Sequence, residues 1–284
     1  EGHGQIEIIG LESDTAYSIM FLSVDGSKRS QVSRFRTALS DDDWRIVTFG
    51  ATSCMKLNLP WPNLTHAKSD QYDFFCLLGD TVYAYTETRE GYWEKWDEAL
   101  QQDGLYDLFS STSVLSTWDD HELVNNFNWD DYPDEERFGN ALWAFRQGLP
   151  QRVGEQNQIW KKISYGRVLD VFVLDCRGER RGDEYISRAQ MDWLKDGLAT
   201  SEARFKIIMN SVPIIDFATL LGGAESDDRW EGYPAQRGEI LGHIDDSAIE
   251  GVLWVSGDFH FGAICKVGAV GDVGDSQYEV MVGP

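Results

Sequence analysis

Six short, almost uninterrupted apolar runs, at 45–49, 74–78, 114–118, 168–174, 205–209 and 251–255, constrain this chain more than any other feature. Each is bounded by polar turn residues, which predicts strands covered on both faces. Three segments between them carry helical spacing. One holds Tyr92, Trp93, Trp96, Ala99 and Leu100, and a second Phe138, Ala141, Leu142 and Phe145. The third opens at Ser187, with Gln190 as the partner of a capping box, and carries Trp193, Leu194 and Leu198. Strands alternating with helices predict an α/β fold. The aromatic stripes on these helices are core packing.

Residues 1–39 differ. Ile6, Ile8 and Leu11 precede the alternating Tyr17, Ile19, Phe21, and Asp25-Gly26 turns the chain into a second run, 32–35. This predicts a hairpin at the end of a small β-sandwich, with Asp41-Asp42-Asp43 marking the boundary to a body over 40–284. The chain starts at Glu1 and stops in a strand-like run, 278–282, so both ends read as trimmed. No stretch reaches the roughly 20 apolar residues of a membrane helix. A net charge of −23 argues against a nucleic-acid or anionic-membrane surface. Only nine of the 25 basic residues are Lys, a hint of salt adaptation that an ordinary acidic protein also fits. The four cysteines do not form a disulfide pattern. Cys76, Cys176 and Cys265 sit in or beside apolar runs as buried thiols, whereas Cys54 ends a strand inside a polar loop.

The chemistry collects where strands end. Thr52-Ser53-Cys54 follows the first run, Gly79-Asp80-Thr81-Val82-Tyr83 the second, and Trp118-Asp119-Asp120-His121-Glu122 the third. Asn210-Ser211 follows the fifth and Ser256-Gly257-Asp258-Phe259-His260 the sixth. Ligands of open α/β sheets bind beyond the carboxyl ends of the strands, so donors at five such ends would converge. Each has a plain reading alone: Gly-Asp as a turn, Asp119 and Asp120 as caps, Tyr83 as packing, His260 as a structural histidine. Their joint occurrence in this order is what those readings do not explain.

Gly79 to Tyr83 resembles the metallophosphatase motif in which an aspartate bridges two metals and a tyrosine binds ferric ion. Residues 118–122 with Asn125-Asn126, and Gly257-Asp258-Phe259-His260, are similar to segments of the PhoD-like alkaline phosphatase family in particular. Leu174-Asp175-Cys176-Arg177, Ser211-Val212-Pro213, 230–234 and the hairpin's Arg34-Phe35-Arg36-Thr37 match too, although Asp175 stands where Thr is commoner. The resemblance implies a four-layer αββα metallophosphatase sandwich preceded by the tail of a fibronectin/Ig-like β domain. It also implies an extracytoplasmic hydrolase.

The donors divide into two sets sharing Asp80. Cys54, Asp80, Tyr83 and His260 offer thiolate, carboxylate, phenolate and imidazole, which favours Fe³⁺. Asp80, Asp120, Asn210 and Asp258 offer oxygen alone, which favours Ca²⁺. The resemblance implies the same pairing, while Zn²⁺ and Mn²⁺ also satisfy the donor types. A water acidified between two such ions would attack phosphorus. His121 is the expected acid for the leaving group or a ligand for the phosphoryl oxygen, with orientation of a metal ligand as the alternative. Arg177 is expected to clamp phosphate or to pair with a carboxylate, and Asn125 and Asn126 to hydrogen-bond a ligand or the substrate. His66 and His243 fall outside the motifs. The expected substrates are phosphomonoesters or phosphodiesters. A phospholipase D-like diesterase acting on phospholipid headgroups and a non-catalytic calcium-binding module are the alternatives.

Overall fold

The computed structural model describes residues 5–56, 61–149, 151, 158–217 and 226–284. The hairpin forms: β1 (Ala16–Ile19) pairs antiparallel with β2 (Ser33–Arg36), and Tyr17 stacks on Phe35 at 5.7 Å. The Asp25-Gly26 turn closes through the Gly26 N–H on the Ser23 carbonyl, with Gly26 at φ 70°. Among the described residues no second sheet packs on this pair, and Phe21, Leu22 and Val24 remain exposed.

The body holds two sheets. Strands β3 (Phe49–Thr52), β4 (Phe74–Leu78) and β5 (Ser113–Thr117) form a parallel sheet in that order. The first differs from the expected 45–49. The Arg45 guanidinium reaches Asp14 at 2.7 Å and Asp73 at 2.6 Å, so ion pairs hold that stretch and the ladder starts later. Strands β6 (Lys161–Tyr165), β7 (Leu169–Val173), β8 (Phe205–Met209), β9 (Val252–Ser256), β10 (Ala263–Lys266) and β11 (Tyr278–Met281) form the second sheet. Its order is β10-β11-β9-β8-β7-β6, parallel from β7 through β11 and antiparallel at both edges.

Period-two alternation explains the layering. Phe74, Cys76 and Leu78 of β4 turn inward and meet Val171, Val173, Ile207, Met209 and Val255, so the two sheets pack face to face. Phe75 and Leu77 point the other way, into a cluster with four helices. These are α1 (Pro62–Ala67), α2 (Arg89–Leu100), α3 (Asp103–Phe109) and α4 (Glu135–Gly148). The outer face of the large sheet, with Phe172, Ile208 and Trp254, packs on α5 (Arg188–Thr200) and α6 (Pro234–Asp246). The succession is helices, sheet, sheet, helices.

Two smaller expectations need correction. Ser187 accepts the Gln190 N–H at 3.2 Å, but no capping box forms. The Gln190 side chain instead brackets the Asp175 backbone, its Oε1 accepting that N–H at 2.8 Å and its Nε2 donating to that carbonyl at 3.0 Å. All four cysteines are free, as expected, but Cys265 is only half-buried.

Candidate metal centre

The strand-end loops are tied to one another before any side chain meets a ligand. The Cys54 and Met55 N–H groups donate to the Gly79 and Asp80 carbonyls at 3.1 and 2.7 Å. Ser53 Oγ donates to the Val282 carbonyl at 2.7 Å. Glycine is required at two contacts. A Cβ on Gly79, at φ 101°, would stand 2.5 Å from Asp119 Cβ, and one on Gly257 would stand 2.6 Å from Ser53 Cβ. Among the described residues seven non-glycines have positive φ, and five lie here: Cys54, Asp80, Asn126, Asp258 and His260. Each such backbone costs on the order of 1–3 kcal/mol, and such strain clusters at functional sites.

These loops bring Asp80 into two groups. Ligand atoms of Cys54, Asp80 and His260 lie within 4.8 Å of one another, as do those of Asp80, Asp120 and His121. Tyr83 joins the first group by donating its hydroxyl to Asp80 Oδ2 at 3.2 Å. In the second, Asp120 Oδ2 accepts the Asn126 N–H at 2.5 Å, while Oδ1 is buried with no partner. His121 was expected beside the ligands and stands among them. Asp258 falls in neither group. Asn210 Oδ1 accepts from Cys176 Sγ at 2.8 Å and Trp230 Nε1 at 3.4 Å. Asn125 is exposed, and Asn126 enters through its backbone.

The Arg177 expectation is corrected toward its carboxylate-paired alternative. Its side chain is 0% exposed. It donates from Nε to Asp119 Oδ1 at 2.6 Å, and its other nitrogens meet Asp119 Oδ2 at 3.2 Å and both oxygens of Asp228. Four of its five N–H donors are thus taken by carboxylates, and the side chain has no exposed surface for a phosphate to reach. Arg180 shares Asp228 and donates to the Asn126 carbonyl at 2.9 Å, so this pair anchors the 120–126 loop.

Three groups had no assigned role from sequence. Glu122 is fully buried and accepts the N–H groups of Asp80 at 2.9 Å, Thr81 at 2.6 Å and Asp119 at 2.9 Å. The Asp-x-x-Glu spacing from Asp119 was the available signal. Glu279, alone among apolar residues in β11, accepts Ile214 N–H, Ile215 N–H and Ser256 Oγ at 2.9, 3.0 and 2.7 Å. A charged residue inside an apolar run was the clue. Asp228 has no local signal.

Electrostatics favour added positive charge. Burial, then Asp119, Asp120, Glu122 and Asp258, pushes the Asp80 carboxyl well above the ordinary aspartate range. Burial and Asp119 push Asp258 up against the pull of Arg177. The Cys54 thiol and Tyr83 hydroxyl are raised by burial and then by Asp80. A nearby cation reverses such shifts and draws off those protons. The orphaned Asp120 oxygen and the crowded anionic donors therefore fit bound metal. A cleft of ≈ 910 Å³ opens beside the first group, lined by Cys54, Met55, Trp61, Tyr83, Tyr85 and His260 among others.

A family model described as PhoD-like phosphatase matches residues 49–284. The chain belongs to the PhoD-like phosphatase family. It is 23% identical over 309 residues to alkaline phosphatase D of Bacillus subtilis (strain 168), an alignment covering 90% of this chain and 52% of that protein. The chain thus spans about half the length of this curated relative. Its fold is similar to a solved structure of PhoD, with TM-score 0.83 and 20% identity over 96% of this chain and 63% of that one. A purple acid phosphatase from yellow lupin (Lupinus luteus) seeds is similar at TM-score 0.67 and 14% identity, covering 96% and 50%.

Proposed function

We propose that this chain is a metal-dependent hydrolase of phosphoric esters, working at two cations that share Asp80. The sharing of Asp80 by both ligand groups carries the reading. Family membership and the helices-sheet-sheet-helices succession, which we read as the αββα metallophosphatase sandwich, support it. Cys54, Asp80, Tyr83 and His260 would hold the first ion, Fe³⁺ being favoured by the thiolate and phenolate. Asp80 and Asp120 would hold the second, with Ca²⁺ favoured by oxygen donors. Asp258 and Asn210 complete that set after local rearrangement, Asn210 only once its amide leaves Cys176 and Trp230. Two such cations supply an acidified water and charge neutralisation at the phosphoryl oxygens.

The chain's own residues do the rest. Glu122 and Gly79 fix the Asp80 turn, and Arg177 and Arg180 fix the loop carrying Asp120. His121, which stands in the second group, would hydrogen-bond the leaving or a phosphoryl oxygen. Asn125 and Asn126 border the same loop as substrate contacts. The cleft is larger than a phosphate needs, which favours diesters or monoesters with a sizeable organic group. Phospholipid headgroup diesters fall within that class. Membership of the PhoD-like family supports an extracytoplasmic reading. We read residues 1–39 as the end of a separate β domain and 40–284 as the catalytic body.

The deciding experiment measures hydrolysis of p-nitrophenyl phosphate and bis-p-nitrophenyl phosphate beside elemental analysis, before and after chelation. Hydrolysis lost to EGTA and restored by Ca²⁺, with iron retained, is expected. A chelator-insensitive enzyme, or a metal-loaded protein inert on both esters, refutes the reading.

A further inference from the structure

We propose that Tyr85 is a positioning residue that holds His121 as its Nε2–H tautomer. Tyr85 is 67% exposed in the wall of the cleft, yet its hydroxyl reaches back to within 3.1 Å of His121 Nδ1. The imidazole is held from other sides as well. The Tyr83 ring stacks on it at 4.1 Å and 30°. The His121 N–H donates to Asp80 Oδ1 at 3.3 Å, and its carbonyl accepts the Ala84 N–H at 3.0 Å. The segment 83–85 thus grips residue 121 by ring face, ring edge and backbone.

The direction of the Tyr85 bond follows from what surrounds the ring. A neutral imidazole has one N–H and one lone pair. One ring nitrogen lies within 4.8 Å of one Asp80 and one Asp120 carboxyl oxygen, and Asp120 Oδ1 is a buried acceptor with no partner. With Nδ1 engaged by Tyr85, Nε2 is the ring nitrogen left for other partners, and the nearby unpartnered Asp120 oxygen favours a proton there. A phenol keeps its proton at neutral pH and can donate to Nδ1. The bond partner at one nitrogen therefore selects the function of the other. An Nε2–H can donate to a phosphoryl or leaving oxygen. The opposite arrangement, Nδ1–H donated to the Tyr85 oxygen, would free Nε2 to ligate metal and would make His121 a ligand. The consequence for hydrolysis rests on the function proposed above, whereas the tautomer does not.

The test uses ¹⁵N-histidine NMR on metal-depleted protein and on protein loaded with the diamagnetic ions Zn²⁺ and Ca²⁺, with His121→Ala assigning the resonance. The Nε2–H pattern is expected in both forms, and a mixture of tautomers in Tyr85→Phe. That variant should lose roughly 10-fold in kcat, the lower end for removing a supporting hydrogen bond, with KM and metal content unchanged. In a His121→Ala background Tyr85→Phe should cost nothing further, because the two act as one unit. An Nδ1–H tautomer in the wild type overturns the proposal, as does an unchanged tautomer in Tyr85→Phe. Equal cost in both backgrounds also overturns it. If the wild type hydrolyses no phosphate ester, the functional reading falls and the NMR result alone decides this inference.

Discussion

The core between the sheets and the floor beneath the strand ends are equally buried and opposite in chemistry. Between the sheets, Phe74, Cys76, Leu78, Val171, Val173, Ile207 and Met209 meet with no charged group among them. At the strand ends, Asp80, Asp119, Asp120, Glu122, Asp175, Arg177, Arg180 and Asp228 are buried together. The first region gains stability from area removed from water. The second is costly to desolvate, and hydrogen bonds and ion pairs offset that cost only in part. Five positive-φ residues beside it add strain. Stability generated between the sheets thus supports a preorganised, intrinsically unfavourable site at their edge.

If this division holds, substitutions at the floor should lower activity and those between the sheets should lower stability alone. Asp80→Ala should have the largest effect, because it removes the residue common to both ligand groups. We expect activity to fall by at least about 10⁴-fold, equivalent to two lost metal contributions of several kcal/mol, with both ions missing by elemental analysis. Retention of either ion at full stoichiometry would break the shared-ligand picture. His121→Ala should cost roughly 10²–10⁴-fold in kcat. The loss should be smaller for p-nitrophenyl esters than for alkyl esters if the imidazole protonates the leaving oxygen. If it ligates metal, excess cation should rescue the variant instead.

A matched pair sharpens the same division. Arg177→Ala leaves Asp119 and Asp228 buried without their partner and should cost about 3–5 kcal/mol of folding stability. It should also lower activity in the folded protein, by loosening the Asp119–Asp120 loop. Leu169→Ala, at the start of β7 and remote from the strand ends, should cost about 2–5 kcal/mol through lost packing. Its activity per folded molecule should stay at the wild-type level. Urea unfolding beside active-fraction-corrected kcat measures both, and equal catalytic damage from the two would erase the distinction.

The same contrast explains what could be read from sequence. Apolar runs report burial directly, so β4, β8 and the faces of α2, α4 and α5 were legible. The strand-end donors were legible as positions, since Cys54, Asp80 and His260 do converge. The partners that complete the floor were not. Arg177 meets Asp119 from 58 residues away and Asp228 from 51, and no local pattern encodes either pairing. For that reason Arg177 read as a phosphate clamp as readily as a partner of some unspecified carboxylate. β6 was missed because Lys161 and Lys162 break the apolar signal on an edge strand. Asn210 has the right residue type and position, but its amide orientation depends on Cys176 and Trp230.

A further effect is in the pH dependence of stability, and it belongs chiefly to the floor. Burial raises Asp119 to about 6, Asp175 to about 7 and Glu122 to about 8, from ordinary values of 3.8, 3.8 and 4.5. Each group binds its proton more tightly folded than unfolded. Its contribution is therefore complete below the unfolded value and is lost as pH rises through the folded one. Chelated protein should accordingly lose stability between about pH 4 and pH 8, and metal-loaded protein should lose less, because bound cations favour the ionised carboxylates. Asp175→Asn isolates one group. Trp118 Nε1, Gly178 N–H and Arg177 N–H all donate to Asp175 Oδ1, at 2.7, 2.7 and 3.2 Å, so an asparagine oxygen can keep all three. The variant should flatten the slope by up to one proton, about 1.4 kcal/mol per pH unit, over the window from 3.8 to about 7. Calorimetry across that range, with and without chelator, measures it. A chelated protein that gains stability as pH rises from 4 to 8 would show that the floor is already compensated without metal, and the opposition between the two buried regions would fail there.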